Sequence, residues 1–178
     1  MKTELKNIRL LALDVDGVLT DGTINIGSQG EVFKGFNAKD GLGISCLQRQ
    51  GIDVAIITGR RSEIIHRRAE ELGIKYLCEG IKDKYTALLQ LSSRLQLDRR
   101  QVAYMGDDLN DLPAFKAAGI AFAPADAAAE VAAAAQIVTI AEGGRGAVRE
   151  AAEMLLQARG CWEEVIASYQ ECGQGDRQ

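Results

Sequence analysis

Hydrophobic positions along the chain fall into short, unbroken runs separated by stretches with helical spacing. The runs are "LLAL" at 10–13, "IDVAIIT" at 52–58, "IKYLC" at 74–78, "QVAYMG" at 101–106, "IAFA" at 120–123 and "IVTI" at 137–140. A strand that is apolar throughout is buried on both faces, as in a parallel sheet covered by helices. Between the runs the spacing predicts helices over 41–50, 62–72, 83–96, 110–118, 127–135 and 146–158. In the third of these, Leu88, Leu91 and Leu95 form one stripe that can face a sheet. Gly51, Gly73 and Gly119 stand where a helix must stop before a strand begins.

One segment breaks this rhythm. "TINIGSQGEVFKGFN" reads as two extended runs, 23–26 and 31–37, about a turn at 27–30, which predicts a β-hairpin over 23–37. The segment 160–178 predicts one more short helix and a polar C-terminal tail. The whole is a repeated βαβ pattern in the α/β class: a Rossmann-like open parallel sheet with helices on both faces, in one domain spanning 1–178. Such sheets bind ligands at the carboxyl ends of their strands.

Composition narrows the partners. With 178 residues, 47% hydrophobic, the chain can bury a substantial core. A net charge of -4 and no dense basic stripe argue against nucleic acid as a partner, and Arg60, Arg61, Arg67 and Arg68 form only a local cluster, the last two read as a solvated helix face. Asp14 and Asp16 interrupt the most apolar N-terminal stretch, so no membrane span is expected, and without a basic-then-apolar leader the expected location is cytoplasmic. Cys46, Cys78, Cys161 and Cys172 form no CxxC pair, and with His66 as the one histidine they cannot build a His-based zinc site.

The candidate chemistry lies at the predicted strand ends. In "LLALDVDGVLTDG" Asp14 and Asp16 are two apart on an extended segment and share a face, where like charges repel unless a cation or proton intervenes. "AIITGR" brings Thr58, Gly59 and Arg60, and "MGDDLND" brings Asp107, Asp108 and Asp111. Lys82 and Lys84 in "EGIKDK" sit at a helix start, against the preference of the helix dipole, which implies an anion to neutralise. Acids, a hydroxyl and a lysine without His or Cys ligands suit a hard cation such as Mg²⁺ together with a phosphate.

"DVDGVLTDG", "ITGR", a lysine before a helix and "GDDLND" resemble, in order and spacing, the four motifs of the haloacid dehalogenase superfamily of phosphatases. "KGFNAKDGLGI" and "GGRGAVRE" further resemble the sugar-acid phosphatases that act on 3-deoxy-D-manno-octulosonate 8-phosphate (KDO 8-phosphate) in lipopolysaccharide precursor synthesis. The resemblance implies Asp14 as nucleophile forming an aspartyl phosphate and Asp16 as general acid and base. Thr58 and Lys84 would bind the phosphoryl group, and Mg²⁺ would lie on Asp14, Asp107 and the Asp16 carbonyl. Asp108 and Asp111 would lie behind the metal, although Asp111 could merely favour the next helix. Gly59, Arg60, Lys39 and Arg145 are the candidate substrate contacts, Arg60 the first choice for a sugar carboxylate and alternatively a surface ion pair.

Thr58 alone could be a helix cap, with Ser62 another candidate for that work, and His66 reads as a surface helix residue. The hairpin is the only insertion before the next helix, so no cap domain is expected. The resemblance implies a homotetramer in which a neighbouring subunit closes each site. Three other readings stand: a phosphatase of a nine-carbon sugar-acid 9-phosphate, a receiver-like signalling domain, and an inactive assembly module. The receiver carries its acceptor on a middle strand and has no DxD pair at the first, and the intact acids argue against the module.

Overall fold

The computed structural model describes residues 2–171. In chain order the strands are β1 (Leu10–Leu13), β2 (Asn25–Gly27), β3 (Gly30–Phe33), β4 (Asp53–Ile57), β5 (Tyr76–Cys78), β6 (Val102–Met105), β7 (Ile120–Ala123) and β8 (Ile137–Val138). The helices are α1 (Lys2–Leu5), α2 (Ala38–Arg49), α3 (Glu63–Glu71), α4 (Lys84–Arg94), α5 (Leu112–Ala117), α6 (Ala129–Ala134), α7 (Ala147–Arg159) and α8 (Trp162–Gln170). Two 3₁₀ turns, Arg99–Gln101 and Leu109–Asp111, precede β6 and α5.

Side chains on successive strand positions go to opposite faces, and here both faces are apolar because each has its own core. Leu11 and Leu13 of β1, Val54 and Ile56 of β4, Ala103 and Met105 of β6 and Phe122 of β7 pack with Ile44, Leu47, Ile65, Val148, Ala151 and Leu155 of α2, α3 and α7. Leu10, Ala12, Ala55, Ile57, Val102, Tyr104 and Ala121 pack on the other side with Leu88, Leu91, Phe115 and Val131 of α4, α5 and α6. Among the described residues the parallel sheet has six strands in the order β5-β4-β1-β6-β7-β8. The chain leaves β1 toward β4 and β5, then crosses back through α4 to β6 on the other side of β1. This reversal opens a crevice at the carboxyl ends of β1 and β6.

The departures from the sequence reading are local. The hairpin strands end at Gly27 and Phe33 rather than continuing to 37, because Lys34 turns inward and leaves the ladder. β8 stops at Val138, since the amides of Ile140 and Ala141 are capped by the Glu150 carboxylate instead of a strand. Four residues, Gly59 to Ser62, separate Thr58 from α3, and the segment read as one helix over 110–118 is a 3₁₀ turn followed by α5. α1 is too short to show a period. Arg67 is exposed as expected, whereas Arg68 is half-buried, its guanidinium over the Phe36 ring and paired with Glu71. Of the tail over 160–178, Trp162–Gln170 forms α8 and packs on its own subunit: Val165 is buried, Trp162 lies against the Arg149 guanidinium and the Tyr169 hydroxyl accepts from Arg49. The remainder, 172–178, lies outside the described residues, as does Cys172.

α2 and α7 approach closely, and this contact positions the loop that leads into α7. The buried Asp40 carboxylate on α2 accepts the Arg149 amide in the first turn of α7 at 2.8 Å, offsetting that turn's unpaired N–H groups. A Cβ at Gly43 would stand 3.2 Å from Arg149 Cα and 3.3 Å from Ala152 Cβ. Gly43→Leu should therefore destabilise the fold by about 1–3 kcal/mol through overpacking, read as a lower urea midpoint with an unchanged m-value.

Candidate active site

β1 and β6 pair in parallel with Leu13 opposite Met105, so whatever follows each strand emerges side by side. Asp14 follows β1, its amide held by the Met105 carbonyl at 3.0 Å, and Asp107 follows β6 after Gly106. Asp14, Asp107 and Asp111 present oxygens that all lie within 4.8 Å of one another. Gly17, at φ +84°, lets the loop after Asp16 curl against this group: a Cβ there would stand 2.0 Å from Asp107 Oδ2. The loop is backed from far downstream, where the Gly144 amide donates to Val18 at 2.9 Å and a Cβ on Gly143 would overlap the Gly17 carbonyl.

Lys84, the first residue of α4, is fully buried beneath the acids. Its ammonium binds Asp14 Oδ2 at 2.7 Å and Asp111 Oδ1 at 2.6 Å, and the Asp83 carboxylate caps the helix by accepting the Thr86 amide. Asp111 Oδ1 also accepts the Tyr104 hydroxyl at 2.7 Å, while Oδ2 accepts the amides of Asp107 and Asp108 at 3.0 and 3.3 Å. Asp111 thus sits within the carboxylate cluster and fixes the backbone that carries Asp107; it does more than favour the start of α5. Asp108 is exposed and caps the 3₁₀ turn through the Leu109 amide.

The charges do not balance. Burial, and then the neighbouring Asp111, raise Asp14 to about 6 against the pull of Lys84. Burial, then Asp111 and Asp14, raise Asp107 to about 7. Burial works against the Lys84 ammonium, but Asp14 and Asp111 raise its pKa overall, and burial beside Asp111 holds the Tyr104 phenol well above its usual value. One ammonium among three crowded carboxylates leaves negative charge uncompensated. With oxygen donors alone, the cluster fits a hard divalent cation.

Asp16 belongs to a second network. Its Oδ1 accepts from Lys34 at 2.5 Å and its Oδ2 faces Arg60 Nε at 3.3 Å. Lys34 also binds Glu31 Oε1 at 3.0 Å, and the other Glu31 oxygen accepts the Ser62 hydroxyl. Burial alone would lower the Lys34 pKa, yet its bonds to Asp16 and Glu31 raise it. Ser62 stands at the N-cap of α3 but makes no capping bond with its side chain, which corrects its reading as a helix cap. A cleft of about 290 Å³ opens here, lined by Ile24, Ile26, Gly30, Glu31, Arg60 and Arg61.

The structure brings Asp14, Lys84, Asp107 and Asp111 into one cluster and sets Asp16 against Arg60 in the second network. Thr58 is buried at the end of β4, its hydroxyl accepting the Arg60 amide, and Gly59 is exposed beside it. Lys39 is exposed in the first turn of α2, and Lys82 is exposed before α4. Arg145 turns to Glu142 at 3.4 Å and Asp21 at 4.0 Å. His66 lies on the surface of α3, paired with Glu79. Sequence reasoning missed Lys34, Glu31 and Tyr104. For Tyr104 the signal was present, since a polar-tipped residue in a fully apolar strand needs a partner for its hydroxyl.

A family model described as haloacid dehalogenase-like hydrolase matches residues 79–149. The chain is 50% identical over 153 residues to the 3-deoxy-D-manno-octulosonate 8-phosphate phosphatase of Yersinia pestis, covering 86% of this chain and 82% of that protein. The chain belongs to the 3-deoxy-D-manno-octulosonate 8-phosphate phosphatase family. Within it, the Moraxella catarrhalis phosphatase, solved with magnesium, phosphate and KDO, superposes at a TM-score of 0.92 with 42% identity, covering 95% of this chain and 97% of that one. The cobalt-bound phosphatase of Haemophilus influenzae superposes at 0.90 with 44% identity, covering 94% and 97%.

Asp14 and Asp107 keep their protons to higher pH in the folded chain than an unfolded aspartate near about 4 would. Their contribution to stability is complete below that range and is lost as pH rises through about 6 and about 7. In EDTA, the wild type should lose urea stability from pH 5 to pH 8 more steeply than Asp107→Asn. Added divalent cation should restore the wild type most at pH 8. Parallel slopes in the two proteins would show that the crowding of Asp107 is not the source.

Proposed function

We propose that the chain hydrolyses KDO 8-phosphate to KDO and inorganic phosphate through an aspartyl phosphate. The observation that carries the reading is the convergence of Asp14, Asp107 and Asp111 over the buried Lys84, beside an Asp16 held on a separate network. Asp14, Asp107 and the Asp16 carbonyl would hold a Mg²⁺ ion, which when bound keeps the carboxylates ionised and neutralises phosphate charge. An Asp14 oxygen attacks phosphorus as the bond to the sugar oxygen breaks, and Asp16 gives that oxygen its proton. Asp16 then takes a proton from water, the water oxygen bonds to phosphorus, and the Asp14–phosphorus bond breaks to release phosphate. Thr58 and the third ammonium hydrogen of Lys84 donate to the phosphoryl oxygens. Asp108 and Asp111 hold the segment that carries Asp107.

Arg60 supports the choice of a sugar acid. Its guanidinium borders the cleft and is half-exposed, and with Nε toward Asp16 its two terminal nitrogens would take a carboxylate through two parallel bonds, with Gly59, Lys39 and Arg145 as further contacts. A homotetramer fits the same picture. Ile26, Val32 and Phe33 of the hairpin are 72%, 59% and 57% exposed, and a neighbouring subunit that covered them would also close the cleft. Cys46, Cys78 and Cys161 are free thiols, in keeping with the reducing cytoplasm.

Asp14→Asn should lower turnover of KDO 8-phosphate by several powers of ten while its urea midpoint stays at or above that of the wild type, and EDTA should abolish wild-type activity until Mg²⁺ is returned. A single phosphorylation without turnover would instead mark a receiver, and no phosphate release an assembly module. The wild type should favour KDO 8-phosphate over nine-carbon sugar-acid 9-phosphates in kcat/KM, and Arg60→Glu should shrink or reverse that ratio. An unchanged ratio in the variant would remove Arg60 as the discriminator and reopen the nine-carbon reading.

A further inference from the structure

Lys34 is an anomaly of the hairpin. Its neighbours Val32 and Phe33 are apolar and exposed, whereas the lysine, which could reach water, has a side chain only 1% exposed. Ordering a long side chain and stripping its ammonium of water both oppose folding, so the burial needs a compensating partner. Lys34 has two, Asp16 and Glu31. Glu31 is itself fastened by the Ser62 hydroxyl, which leaves its own helix without a side-chain cap. The Ser62 amide donates to Glu79 at 3.0 Å, fixing that corner. From Ser62 the chain runs back to Arg60, which faces the second oxygen of Asp16. The contacts close a ring: Asp16, Lys34, Glu31, Ser62, the loop back to Arg60, and Asp16 again.

The two cations on Asp16 differ in kind. Arg60 is half-exposed and borders the cleft, while Lys34 is buried and held at both ends. A carboxyl that must hand a proton to one oxygen and take one from another needs a fixed orientation, and the terminal torsion of aspartate does not supply it. We propose that Lys34 is the positioning residue for Asp16, gripping Oδ1 so that Oδ2 meets the leaving oxygen once substrate draws Arg60 away. This inference rests on the reading of Asp16 as proton donor and acceptor. It makes the hairpin part of the chemical step rather than only a wall of the cleft.

The test uses two substrates that differ in their need for an acid. The sugar oxygen of KDO 8-phosphate leaves only with a proton, whereas nitrophenolate leaves p-nitrophenyl phosphate without one. In Lys34→Met and Lys34→Gln, kcat on KDO 8-phosphate should fall about 10–100-fold with KM nearly unchanged. The pre-steady-state burst of nitrophenolate should keep its rate within about threefold, with slow turnover behind it, because Asp16 is also needed to activate water. Glu31→Gln, on an exposed strand, should show the same selective loss in weaker form and decides the matter if both Lys34 variants fold poorly. Equal loss in the burst and in sugar-phosphate turnover would mark a scaffold role, and no loss in either would leave Lys34 idle; either result overturns the proposal. Asp16→Asn separates the two levels. If it spares KDO 8-phosphate turnover, the reading of Asp16 has failed; if it shows the selective loss and the Lys34 and Glu31 variants do not, only the role of Lys34 has.

Discussion

The parallel pairing of β1 with β6 forces two carboxylates, Asp14 and Asp107, out of a buried sheet at the same level, and most of the surrounding structure answers that constraint. Lys84 is driven under them from the start of α4, and Asp111 folds back to share the ammonium and to hold the amides of Asp107 and Asp108. Tyr104 spends its hydroxyl on Asp111 from within an otherwise apolar strand. Even with these partners, Asp14 and Asp107 hold their protons far above the usual aspartate range, so the fold stores an affinity for positive charge at one spot.

The site divides its cations by accessibility. Lys84 and Lys34 are both buried, one beneath Asp14 and one beside Asp16, and both are held by paired acids. Arg60 is exposed and borders the cleft. Fixed charges serve orientation, where a displacement of an ångström is costly, and a mobile one can follow a ligand that comes and goes.

Much of this was legible in the chain. The unbroken apolar runs reported a sheet buried on both faces, and the acids at their ends reported the crevice, because both follow from periodicity and spacing alone. Asp14 and Asp16 could be named for the same reason, whereas the choice of Lys84 over Lys82 and of Asp107 over its acidic neighbours rested on the family resemblance. Lys34 could not: on a hairpin a lysine reads as solvated, and only the fold shows that it turns inward. Ser62 looked like a cap because it stands before a helix, yet its hydroxyl goes to Glu31, a partner on a distant element. The role of Asp111 hung on a 3₁₀ turn at Leu109–Asp111, where a continuous helix was the natural reading. For Lys34 and Ser62 the missing information was a long-range contact, and for Asp111 it was the local turn geometry together with the reach of Lys84 from α4.

The loop that carries Asp14 and Asp16 leans on residues far downstream, through the bond from Gly144 to Val18 and the contact of Gly143 with Gly17. A chain emerging from the ribosome therefore has its acids, its lysine and most of its sheet well before the backing of that loop exists. The contact is strongly non-local, and closing it costs more chain entropy than the contacts within one βα unit. A nascent chain that has not yet reached Gly143 and Gly144 would carry these acids without the brace that backs their loop.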